Sequence, residues 1–105
     1  MHLKLNVTGR DIAKGEKANP ANCAIARALM RNKAICPSRV SVFYDKCLIQ
    51  ATNKVGRTVN YIARLPDEAS TFVHRFDNFK AVAPLKFALN LTRTSKAENI
   101  FSAIK

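Results

Sequence analysis

Five cations, Arg39, Lys46, Lys54, Arg57 and Arg64, are interleaved with the aromatic side chains of Phe43, Tyr44 and Tyr61 in the middle of the chain. Lysine and arginine heads hold phosphates and aromatic faces stack bases, so cations and aromatics on one sheet face suit a single-stranded nucleic acid. Tyr44 keeps step with Val40 and Val42 and reads as core. Phe43, in step with Arg39 and Ser41, is then the expected exposed aromatic. A second pair of cations, Arg27 and Arg31, stands four residues apart on a helical pattern and is expected on an exposed face, as a further anion site.

Other chemistries find less in the sequence. His74 is the internal histidine, with Asp77 three residues on, a spacing common on exposed helices. It reads as a surface residue. Acidic residues are few, and Asp67-Glu68, the adjacent pair, points two ways on a helix, which does not suit a paired-carboxylate hydrolase or a two-metal nuclease. Gly9, Gly15 and Gly56 are isolated and make no phosphate-cradling loop. Cys23, Cys36 and Cys47 are odd in number and contain no C-x-x-C, against a zinc site or a disulfide framework. No catalytic site, metal or cofactor is expected.

Lys and Arg number 18 against 7 for Asp and Glu, a formal charge of +11 that favours a polyanionic partner before any motif is read. The excess is spread along the chain, with nine cations on either side of Thr52. At 105 residues and 48% hydrophobic, the chain is expected to fold as a single domain, too small to combine a sound core with a deep active-site cavity. Its first residues lack the apolar core of a secretory signal and no 18-residue apolar run occurs, so a reducing, cytoplasmic setting is expected.

The elements that must position these residues follow from periodicity. Leu3, Leu5 and Val7 alternate with polar residues as a half-buried strand does. Thr8 to Gly15 reads as a short helix with Thr8 as N-cap and Gly15 as terminator, and Asn19-Pro20 as the start of a longer helix running to about Asn32, its apolar stripe including Cys23, Ala26, Leu29 and Met30. Residues 39–44, 47–51 and 57–63 form three strands of a meander. Pro66-Asp67-Glu68 opens a helix burying Ala69, Phe72, Val73 and Phe76, and Leu85 to Thr92 alternates as a final strand. Ser95-x-x-Glu98 is a capping box for a C-terminal helix over 95–105, whose stripe of Ile100, Phe101 and Ile104 must dock on the body (1–94) or on a second copy, with a dimer favoured. The order β-α-α-β-β-β-α-β-α predicts an α+β domain, helices covering one face of a small, mostly antiparallel sheet.

The series Asp11-Ile12-x-x-Gly15, Cys23-Ala24-Ile25-Ala26-x-Ala28-Leu29, Leu65-Pro66, Phe76-Asp77 and Pro84-x-x-Phe87-x-Leu89 resembles a family of small, mostly uncharacterised proteins encoded by bacteriophages and mobile elements. The family favours proline after the cysteine and a small residue after Phe-Asp, where this chain has Ala24 and Asn78. The resemblance implies a viral context, in which compact proteins act by occupying a host machine or capturing a signal molecule. Two functions are expected on this footing. The first is a stoichiometric inhibitor of a bacterial defence or nucleoprotein complex, anti-CRISPR-like, docking on nucleic acid or in an acidic nucleic-acid-binding channel. The alternative is an oligomeric sponge that sequesters a nucleotide immune signal with arginines for phosphates and aromatics for the base.

Overall fold

Alternation along β1 (His2–Val7) buries Leu3, Leu5 and Val7 and leaves His2, Lys4 and Asn6 in solvent. The computed structural model describes residues 2–52 and 54–94, which form an α+β fold of three helices and six strands. The expected C-terminal helix, with Ile100, Phe101 and Ile104, lies outside the described residues.

After β1, α1 (Gly9–Lys14) is held by a reciprocal cap: Asp11 N–H donates to Thr8 Oγ1, and Thr8 N–H donates to the Asp11 carboxylate. Gly15 ends α1 as expected, but not by a left-handed turn, since its φ is −68°. Glycine is needed there for space. A Cβ at Gly15 would stand 2.7 Å from the Ala24 nitrogen and 2.8 Å from the Asp11 carbonyl oxygen, both backbone atoms that cannot swing away. Gly15→Ala is expected to destabilise the fold by about 1–3 kcal/mol, read as a lower urea midpoint at an unchanged m value.

The helix expected from Pro20 begins later. α2 spans Ala24–Met30, with Cys23 as an N-cap that makes no side-chain bond. Asn19 Oδ1 accepts from Ala21 N–H in a local turn, and the Pro20 carbonyl accepts from Val42 N–H at 2.9 Å. That carbonyl serves the sheet and is lost to a helix. At the other end Met30 is exposed, outside the apolar stripe that was expected to include it.

The meander is β2 (Pro37–Val42), β3 (Lys46–Thr52) and β4 (Thr58–Arg64), antiparallel throughout, and Gly56, at φ +81°, takes the left-handed position in the β3–β4 turn. α3 (Asp67–Asp77) buries Ala69, Phe72, Val73 and Phe76, the four residues its periodicity marks. β5 (Leu85–Asn90) pairs along the whole of β1, from His2 opposite Asn90 to Val7 opposite Leu85.

Two sheets therefore replace the single one expected. β1 and β5 form a separate ribbon, while β6 (Thr92–Arg93) joins the edge of β4, giving the order β2-β3-β4-β6. The chain changes sheets at Leu91, whose side chain is buried in the common core. That core gathers Leu3, Leu5 and Val7, the apolar faces of α2 and α3, and Val40, Val42, Cys47, Ile49 and Ala63 from the inner face of the meander.

Candidate nucleic-acid interface

Directly opposed residues of an antiparallel pair share a face, so the register decides which of the expected site residues meet. Cys47, Ile49 and Ala51 of β3 lie opposite Ala63, Tyr61 and Val59 of β4, and this is the face turned to the core. The other face carries Lys46 opposite Arg64, Leu48 opposite Ile62 and Gln50 opposite Asn60. On β2, Arg39 lies opposite Gln50 and Ser41 opposite Leu48, so both belong to the outer face as well. Of the expected site, Arg39, Phe43, Lys46 and Arg64 share that face, with Arg39 four residues along the strands from the Lys46–Arg64 pair.

Phe43 keeps the outer face but is half-buried, and Tyr44, expected in the core, is exposed. β2 ends at Val42, and the chain turns at once, Phe43 N–H donating to the Lys46 carbonyl at 2.8 Å. Phe43 is half-buried and packs, with Ile62, against fully buried Leu48, a small apolar cluster at the centre of the outer face. Tyr44 is 52% exposed at the tip of the turn and sets its ring edge-on to His74, centroids 5.5 Å apart. Alternation predicts faces only while the strand lasts, and here it stops two residues short of Tyr44. Tyr61 is half-buried against the core on the inner face and offers no stacking surface outside.

Lys54 and Arg57 stand in the β3–β4 turn region, at the end of the strands remote from Lys46 and Arg64. A seven-residue strand spans about 20 Å, so cations stand at both ends of these strands, while Leu48 and Ser41 between them are buried. That length suits a few nucleotides of an extended single strand.

Arg27 and Arg31 do not join this surface: Arg31 is exposed, as expected, and Arg27 half-buried, and the pair faces a carboxylate of the fold itself. α2 packs on the inner side of the meander, and both arginines turn to Asp11. Arg31 is bidentate, Nη1 to Oδ1 at 2.5 Å and Nη2 to Oδ2 at 2.8 Å, and its Nη2 also donates to the Asn6 carbonyl at 3.0 Å. Arg27 Nε stands 3.8 Å from Asp11 Oδ1, too far for a hydrogen bond. Burial alone would raise the Asp11 carboxyl, but the Arg31 guanidinium and the Thr8 N–H outweigh it and hold the carboxyl below its ordinary value. This cluster was legible in part as Thr8-x-x-Asp11, a capping-box spacing.

Asp77 does not orient His74: its Oδ1 accepts the Ala18 N–H at 2.9 Å, tying the loop before α2 to the end of α3. Burial pushes the Cys47 thiol up to about 12 and also raises Cys23, so neither is a thiolate nucleophile at neutral pH. Cys36 is exposed, with Sγ 3.2 Å from the Lys33 carbonyl. Among the described residues no group of three His, Cys, Asp or Glu side chains gathers to hold a metal, and no helix is long and apolar enough to cross a membrane. Neither a family model, nor a curated protein, nor a solved structure matches this chain.

Proposed function

We propose that the chain is a basic, stoichiometric binding protein that lays the outer face of β2, β3 and β4 on nucleic acid, free or within a host nucleoprotein complex. The observation that carries this is the register: Arg39, Lys46 and Arg64 share one face with the Phe43–Leu48–Ile62 cluster, in a chain of net charge +11. Lys46 directly opposite Arg64 is a like-charged cross-strand pair, an arrangement that costs the sheet and is relieved by an anion bound between them. In a viral setting such a protein acts as an inhibitor, occupying the nucleic acid or the channel that a defence complex needs.

Fluorescence anisotropy with a labelled single-stranded oligonucleotide tests the reading. Each phosphate contact releases counterions, so affinity is expected to fall roughly tenfold to a thousandfold between 50 and 200 mM salt. Affinity indifferent to salt, or no binding at low salt, refutes it. An oligomer in size exclusion that ignores polynucleotide and retains a small nucleotide is the result the sponge requires.

A further inference from the structure

α3 ends in a way that costs stability. Lys80 N–H donates to the Arg75 carbonyl at 2.9 Å and Phe79 N–H to the Phe76 carbonyl at 3.2 Å, the paired bonds of a Schellman cap. The residue this cap places in the left-handed region is Phe79, at φ +60°. Glycine adopts that conformation freely and asparagine tolerates it, whereas a bulky side chain is strained there. Asn78 stands one residue too early, at φ −98°. The strain wins no burial in return, because Phe79 is 81% exposed.

Beside Phe79 stand a cation and a second ring, with Glu16, next to Lys17, engaged by the Asn19 amide. Lys17 Nζ lies 5.5 Å from the centre of the Phe79 ring and 4.5 Å from that of Phe76. The loop that carries Lys17 is pinned against α3 through a second left-handed residue, Ala18 at φ +57°, whose N–H is bound by Asp77. Asp77 is thereby occupied within the fold. Along α3, His74 carries the exposed ring of Tyr44, and a turn earlier Ser70 Oγ donates to the Tyr44 carbonyl. Tyr44 is two residues from Lys46, in the turn that joins β2 to β3.

We propose that Phe79 is a base-stacking contact for single-stranded nucleic acid, with Lys17 holding an adjacent phosphate and Tyr44 linking this contact to the cations of the sheet. The inference rests on the nucleic-acid reading above and adds to it a second contact region on another element. Charge complementarity selects the occupant: an exposed ring with a lysine on its face suits a base and its phosphate, and base stacking tolerates any sequence.

The strain makes the test two-sided. Phe79→Gly removes the left-handed penalty and the ring together, so Tm is expected to rise by roughly 2–6 °C while affinity for a single-stranded oligonucleotide falls on the order of five- to a hundredfold. The slope of affinity against salt stays as it was, since no charge is lost, whereas Lys17→Ala lowers that slope by about one phosphate contact. The chain has no tryptophan, so Phe79→Trp supplies a single indole, excited apart from the two tyrosines, that keeps a stacking face. Its indole emission is expected to be quenched by saturating oligonucleotide at near-native affinity. If Phe79→Gly binds as tightly as the native chain, or the emission of the Phe79→Trp variant ignores saturating oligonucleotide, the stacking role is overturned while the sheet reading stands. A native chain that binds no oligonucleotide overturns both.

Discussion

Arg31→Ala is expected to destabilise the fold by about 3 kcal/mol, more than Asp11→Asn, although the two changes break the same ion pair. The asymmetry comes from which charge is left behind. Asp11 is fully buried, so removing the guanidinium strands a carboxylate with the Thr8 N–H and Arg27, 3.8 Å away, as its remaining support. The Arg31 side chain is 50% exposed, and water can solvate it when the carboxylate is gone. Asp11→Asn keeps an oxygen for the Thr8 N–H and is expected to cost about 1–2 kcal/mol, as a weakened cap does. The pH dependence has a definite sign. Against the raising effect of burial, Arg31 and Thr8 hold the native Asp11 carboxyl below its ordinary value, so its contribution is fully present above the unfolded pKa of about 4 and disappears as pH falls through the lower folded value. Without Arg31 that raising effect is less opposed, and the acid unfolding midpoint is expected to move to higher pH. Urea titrations from pH 2.5 to 7 decide the matter; equal losses in the two variants, or an unmoved acid midpoint, would show that the pair is not what secures α1 to α2.

Local pattern made some of this molecule legible and left other parts closed. β1 and α3 were readable because each buries one face along its whole length, so a period of two or of 3.6 runs unbroken from end to end. The meander was readable from its β-branched and aromatic runs and the turn residues between them, since its burial does not alternate strictly. The division into two sheets was not, because β1 pairs with β5, some eighty residues on, and nothing in either strand names its partner. The i, i+4 spacing of Arg27 and Arg31 correctly puts them on one stripe of α2, but a stripe is silent on what faces it. Here that is Asp11, sixteen residues before Arg27, made a suitable partner by a cap that points its carboxylate inward. Phe79 was hidden for a different reason. It obeys no periodicity, and its position in the cap is decided by where α3 stops, a boundary that sequence places only to within a few residues.

Reversing one charge on the outer face is expected to separate folding from binding. In the native sheet Arg64 lies directly opposite Lys46, two cations across one strand pair, and like charges so placed weaken the pairing. Arg64→Glu turns this into an opposite-charge pair on an exposed surface, so the fold is expected to gain a few tenths of a kcal/mol at low salt. Affinity for a single-stranded oligonucleotide moves the other way. One phosphate contact is lost, the new carboxylate repels the backbone, and it also draws Lys46 away from the ligand, so a drop on the order of ten- to a hundredfold at 50 mM salt is expected, with the salt slope reduced by one to two contacts. Arg64→Gln removes the cation without adding an anion and should fall between. Replacing Arg31, which the fold has already committed to Asp11, should leave the slope unchanged in any variant that remains folded. A stability gain with unchanged oligonucleotide affinity in Arg64→Glu would mean that the phosphates lie elsewhere, and would leave the like-charged pair as a cost to the sheet that no ligand relieves.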